Sequence, residues 1–170
     1  MNQLPELQMD EEIIVLMDKY ATEVLRMCYV YTKDEFASQD IVQETFIKVY
    51  LKYSNFRHDS SEKTWIMRIA INLCKDYLKK AAKENKNRVE LTEEIKDCTY
   101  EESQSEKEIL DAVNKLSDKY KEVILLFYYS NLPVKEIAKL QRSSETAVNV
   151  RLHRAREILK QELRRSEENV

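Results

Sequence analysis

The stretch KTWIMRIAINLCKDYLKK, Lys63 to Lys80, holds four residues whose chemistry suits a negatively charged polymer. Arg68, Asn72, Lys75 and Lys79 step by four, three and four, so on a helix they form one ridge. The bases can neutralise phosphates, and the amide can meet a base edge. Trp65 opens the stretch, and Phe56, Arg57 and His58 precede it. Rings beside cations suit single-stranded DNA, because every base has a face to stack. A plainer reading stays open on these residues alone: Trp65 anchors a core, and the bases are a solvated helix face.

A second constellation is VKEIAKLQRSSETAVNVRLHRAREIL, Val134 to Leu159. Ile137, Ala138 and Leu140 point one way on a short helix, and Ala147, Val148, Leu152 and Ala155 on a longer one. The connection between them is short, the organisation of a helix-turn-helix. Residues at the start of the second helix, Ser144, Glu145, Thr146, Asn149 and Val150, would reach base edges in a major groove. His153 and Arg154 lie a turn further on, while Arg151, Arg154 and Arg156 leave the outer faces basic. The turn lacks glycine, so Arg142 is expected to take a left-handed conformation.

These side chains must be carried by helices. The 170 residues include no glycine and two prolines, which leaves nothing for tight hairpins. The chain is expected to be all-α. Apolar spacing places helices at about Asp10–Tyr31 (Ile13, Met17, Tyr20, Val24, Cys28), Gln39–Tyr53 and Lys63–Ala82. Others follow over SQSEKEILDAVNKL, DKYKEVILLFYYSN, VKEIAKL and from about Ser144 to Leu163, with Pro133 in a first turn. Ser103 and Glu106 have the spacing of a capping box.

Charge divides the chain further. Lys plus Arg number 28 against 31 Asp plus Glu, a net −3. Yet Lys63–Lys83 holds six bases and one acid, and Pro133–Arg165 nine bases and four acids. Glu84–Glu108 reverses this, with four bases and nine acids. Two basic blocks across an acidic bridge imply two small domains, 1–83 and 105–170, on a flexible acidic linker, 84–104. On the outer face of the second helix, Ile47 and Leu51 stand among Asp40, Gln43 and Glu44. They are either a docking site for a partner helix or scattered surface residues.

Other chemistry finds little support. Cys28, Cys74 and Cys98 are widely spaced, and Cys28 and Cys74 fall on apolar stripes, as reduced core thiols do. With only His58 and His153 besides, neither a metal nor any other cofactor is expected. No spacing places a catalytic pair or triad, so an enzyme is disfavoured. No apolar run is long enough to span a bilayer and no signal-peptide core opens the chain; a soluble, cytoplasmic protein is expected. A helix-turn-helix regulator with a helical sensor domain, binding duplex DNA as a dimer, is one class these residues allow.

Taken together, these segments resemble the extracytoplasmic-function (ECF) group of the sigma-70 family. SQDIVQETFIKVYLKYSNF resembles its region two helix that docks on RNA polymerase, and TWIMRIAINLCKDYLKK the helix that handles the minus-ten element. LSDKYKEVILLFYYSNLPVKEIAKL and SSETAVNVRLHRAREILKQEL resemble region four. The resemblance implies a three-helix bundle, a helix-turn-helix domain and a promoter-specificity subunit of core RNA polymerase. It implies that Asp40, Gln43, Glu44 and Lys48 face polymerase. Phe56 would lie in the loop that receives a flipped minus-ten base, with Trp65 and Asn72 beside it, and Arg68, Lys75 and Lys79 would steer the strand. Arg142, Ser144, Asn149, Arg151, His153 and Arg154 would grip the minus-thirty-five duplex. A membrane-bound anti-sigma partner is implied too. Departures are Thr146-Ala147 for the usual Gly-Thr and Asn149 for a common base. The lead-in before the first helix is shorter than usual, as if a small helix were missing, and regions one and three of larger relatives have no room.

Overall fold

A computed structural model describes residues 4–86 and 104–168, with side chains over 11–84 and 107–165. Every regular element among the described residues is helical. In order they are α1 (Leu4–Thr32), α2 (Glu35–Lys52), a 3-10 turn (Tyr53–Asn55), α3 (Glu62–Lys86), α4 (Gln104–Lys115) and α5 (Asp118–Ile124). A π-helical turn (Leu125–Tyr129) continues α5, and α6 (Val134–Leu140) and α7 (Glu145–Glu168) follow. The chain divides into two compact units, Met1–Glu94 and Ile95–Val170.

In the first unit α1, α2 and α3 pack pairwise. Their shared core holds Val24, Met27 and Cys28 of α1, Phe46 and Val49 of α2, and Ile66, Met67, Ala70 and Cys74 of α3. The buried stripe of α1 passes through Leu16, whereas Met17, expected on it, is 40% exposed. Steps of three and four both approximate 3.6 residues per turn, and packing selects between them. Helix α2 begins four residues earlier than its apolar spacing suggests. Asp34 is extended (φ −133°, ψ 117°) and its carboxylate accepts from Ala37 N at 3.0 Å, a side-chain N-cap. Buried Ser38 and Thr45 hydroxyls donate to Asp34 O and Ile41 O at 2.6 and 2.7 Å, which removes the cost of burying them.

The lack of glycine has a visible consequence. Lys33, His58, Asn131 and Arg142 all take φ between 49° and 55° in connections between helices. A side chain in this left-handed region costs roughly 1–2 kcal/mol that glycine would not. Lys33 lets its N–H donate to Tyr29 O at 2.8 Å and close α1.

In the second unit α4 and α5 pack on α7, as does α6. The core draws Val113 and Leu116 from α4, Val123 and Ile124 from α5, and Leu125 and Leu126 from the π-helical turn. Ile137 and Ala138 of α6 meet Val148, Leu152 and Ala155 of α7. Pro133 is the extended residue before α6 rather than part of its first turn. The expected acidic linker falls mostly on residues 87–103, outside the described residues, as do Cys98 and Ser103. Helix α3 runs three residues into its expected start, to Lys86. Cys28 and Cys74 are buried and unbridged. A hydrogen bond with Cys74, together with burial, pushes the Cys28 thiol far above its ordinary range. Such thiols are packing groups.

Candidate nucleic-acid interface

In the first unit, Trp65, Arg68, Asn72, Lys75 and Lys79 share one ridge of α3. Asn72 and Lys79 are exposed, and Trp65, Arg68 and Lys75 half-buried. Trp65 belongs to an aromatic group at one end of this ridge. Phe56 stacks on Trp65 with centroids 4.7 Å apart and planes at 26°, and His58 lies 4.5 Å from Phe56 on a tilted plane. Tyr53 stands 6.2 Å from both Phe56 and Trp65. Trp65 thus stacks within the protein and keeps only a minor part of its surface accessible.

The loop bearing these rings is tied at both ends. Tyr53 Oη donates to Glu62 Oε1 at 2.8 Å, and this bond, with burial, pushes the phenol up to about 12. Ser61 Oγ accepts from Thr64 N at 3.1 Å and caps α3. Lys63 bridges to Glu23 of α1 at 2.6 Å, so it anchors the helix within the bundle. Tyr53 and Glu62 escaped sequence reasoning, because their contact spans a loop.

On α2, Asp40, Gln43 and Glu44 are exposed, and Lys48 pairs with Glu44 at 3.0 Å. Ile47 and Leu51 are 58% and 66% exposed on the same side. Phe36, 76% exposed, extends this face by one turn. It was missed because it lies in what reads as a polar break, TKDEFAS. An apolar strip flanked by short polar side chains suits the docking of another helix.

In the second unit the turn into α7 ends in Ser144, whose Oγ accepts from Ala147 N at 3.1 Å. Thr146, Asn149, Val150 and His153 share one exposed face of α7. The arginines are held by neighbours. The Arg154 guanidinium beside the phenol of Tyr120 is the main cause lowering that tyrosine below its ordinary value. Arg156 Nε donates to Tyr128 Oη at 2.8 Å, its guanidinium 5.7 Å over Phe127. Arg151 is half-buried, its Nη1 donating to Gln141 Oε1 at 2.7 Å. Arg142 is exposed at φ 49°. The tyrosines supporting Arg154 and Arg156 carry no spacing signal, as α5 and α7 are distant in sequence. Beside them is an open groove floored by Ile124, Leu159 and Leu163 and rimmed by Arg156, Lys160 and Arg164.

Among the described residues no three His, Cys, Asp or Glu side chains gather as metal ligands would. None of their helices is long and apolar enough to cross a membrane.

Comparison with known proteins accords with this geometry. The profile of sigma-70 region 2 matches residues 16–84, and that of sigma-70 region 4 matches residues 106–159. The chain is 30% identical over 149 residues to the ECF RNA polymerase sigma factor SigM of Bacillus subtilis, covering 83% of this chain and 88% of that one. With SigW of the same organism it shares 28% identity over 163 residues, covering 88% and 87%. Its fold is similar to that of the sigma factor RpoE of Bartonella quintana, solved with the anti-sigma factor NepR. There the TM-score is 0.75 at 20% identity, over 91% of this chain and 98% of that one. With two regions matched in order and relatives covered over most of their length, the chain belongs to the ECF group of the sigma-70 family.

Proposed function

We propose that this sigma factor divides promoter recognition between domains at 1–83 and 105–170, with 84–104 as the tether. As a sigma factor it binds core RNA polymerase and directs it to promoters. Asp40, Gln43, Glu44 and Lys48 meet polymerase, with Phe36, Ile47 and Leu51 supplying the apolar contact. The melted minus-ten strand lies along α3: Phe56 and Trp65 stack on bases, Asn72 bonds a base edge, and Arg68, Lys75 and Lys79 take the phosphates. Arg142, Ser144, Asn149, His153 and Arg154 face the minus-thirty-five duplex, with Arg151 behind them. The protein makes and breaks no covalent bond, works in the cytoplasm, and is held inactive by an anti-sigma protein until a signal releases it. The apolar faces of α2 and of the α5–α7 groove have the chemistry such a partner covers.

The observation that carries this reading is the continuity of the α3 ridge with the Phe56–Trp65 stack, which sets ring faces, an amide and bases along one line. Asn72→Ala tests it. The variant is expected to slow open-complex formation about tenfold, the lower end of what a base contact contributes, while binding core polymerase normally. Loss of polymerase binding in proportion, or unchanged open-complex rates, would remove Asn72 from the interface. Transcription from a randomised promoter library with core polymerase tests the reading as a whole.

A further inference from the structure

The turn between α6 and α7 is supported by a chain of polar side chains that shares only Arg151 with the residues expected to meet the duplex. Its backbone closes around left-handed Arg142: Arg142 N donates to Lys139 O at 3.2 Å and Ser143 N to Ala138 O at 2.9 Å. Beside it, Glu122 of α5 is 7% exposed. Its Oε1 accepts from Gln141 Nε2 at 3.2 Å. Gln141 Oε1 accepts from Arg151 Nη1 at 2.7 Å, and the same Nη1 lies 3.5 Å from Ser143 Oγ. Carboxylate, amide and guanidinium thus join α5, the turn and α7. The direction of the amide follows from its neighbours, since only its oxygen can meet a guanidinium and only its NH2 a carboxylate.

We propose that Glu122, Gln141 and Arg151 form a positioning relay that sets the angle at which α7 meets duplex DNA. The inference rests on α7 being the minus-thirty-five reader. Arg151 acts through the turn and leaves base reading to Asn149, His153 and Arg154. Those side chains ride on one rigid helix, so a tilt displaces all of them together. Recognition requires placement within about 0.5 Å, whereas attraction to phosphates survives larger shifts. The relay therefore governs discrimination between sequences more than affinity for DNA in general.

The test uses holoenzyme assembled from the full chain and core polymerase. Run-off transcription is measured on a promoter recovered from a randomised library, and on the same template with its minus-thirty-five element scrambled. Gln141→Leu keeps similar bulk but breaks both bonds, and is expected to lower the ratio between the templates about tenfold, in keeping with bonds to charged groups. Gln141→Glu sets a second carboxylate against Glu122 and should lower it as well. The E122Q/Q141E pair exchanges donor and acceptor while Arg151 still meets an oxygen, and should restore the ratio to within about threefold of the parent.

An unchanged ratio in Q141L, while Asn149→Ala abolishes it, overturns the relay and leaves α7 as the reader. If both variants leave it unchanged, the reading of α7 and the relay fall together. Equal loss on both templates with a lowered melting temperature, or no restoration in the exchanged pair, shows a scaffold role only and also overturns the proposal.

Discussion

The two helices proposed to face DNA handle their charges differently. The ridge of α3 is mostly lysine and asparagine around one half-buried arginine, and its Lys79 has only a 4.0 Å pairing with exposed Asp76. On α7 the cations towards the turn are arginines: Gln141 and Tyr128 hold Arg151 and Arg156, and Tyr120 lies beside Arg154. The tasks explain the contrast. A single strand is flexible and brings its bases to a fixed ring stack, so point charges without a planar fork suffice to follow its backbone. A duplex presents its edges at set positions, so planar donors held in advance lose less freedom on binding.

The sharpest way to break this comparison is at Trp65. Trp65→Ala removes the ring on which Phe56 rests and should destabilise the first unit by about 2–3 kcal/mol, below the 3–5 kcal/mol of a fully buried ring because Trp65 is only half-buried. Denaturant unfolding would show this, and open-complex formation should fall with it. A loss confined to open-complex formation would mean that the stack serves DNA alone and adds nothing to the bundle.

On α7, Arg154→Ala should weaken duplex binding about tenfold and reduce the salt slope by about one if it grips a phosphate. Tyr120→Phe keeps Arg154 but removes the hydroxyl beside it, and should cost about two- to fourfold with the salt slope unchanged, a small effect because solvent screens the contact. Footprinting of the upstream duplex against salt concentration separates the two. Equal effects would mean that Arg154 acts only through Tyr120.

The smallest expected effects come from the left-handed residues. Lys33→Gly and Arg142→Gly should each raise stability by about 0.5–1 kcal/mol, by relieving φ near 50° less the entropy that glycine adds to the unfolded chain. Thermal unfolding measures this gain. Only the Arg142 variant should lose minus-thirty-five binding, which would separate the turn's geometry from its charge.

Much of this was legible in the linear order of residues. Helical spacing is a local property, so the ridge from Arg68 to Lys79 and the inward faces of α6 and α7 could be read directly. So could the left-handed Arg142, because a four-residue turn without glycine leaves few other candidates. Helix ends were harder: Asp34 starts α2 inside an apparent break, and Phe36 was lost with it.

The residue order by itself determined an all-helical chain with two basic faces, since periodicity and the absence of glycine act over a few residues at a time. Only the tertiary structure decided which cations are held and by what. Tyr120 meets Arg154 and Glu122 meets Gln141 because α5 packs against α7 and the turn before it. Contacts across dozens of residues depend on how buried faces fit together, and no local pattern encodes that fit.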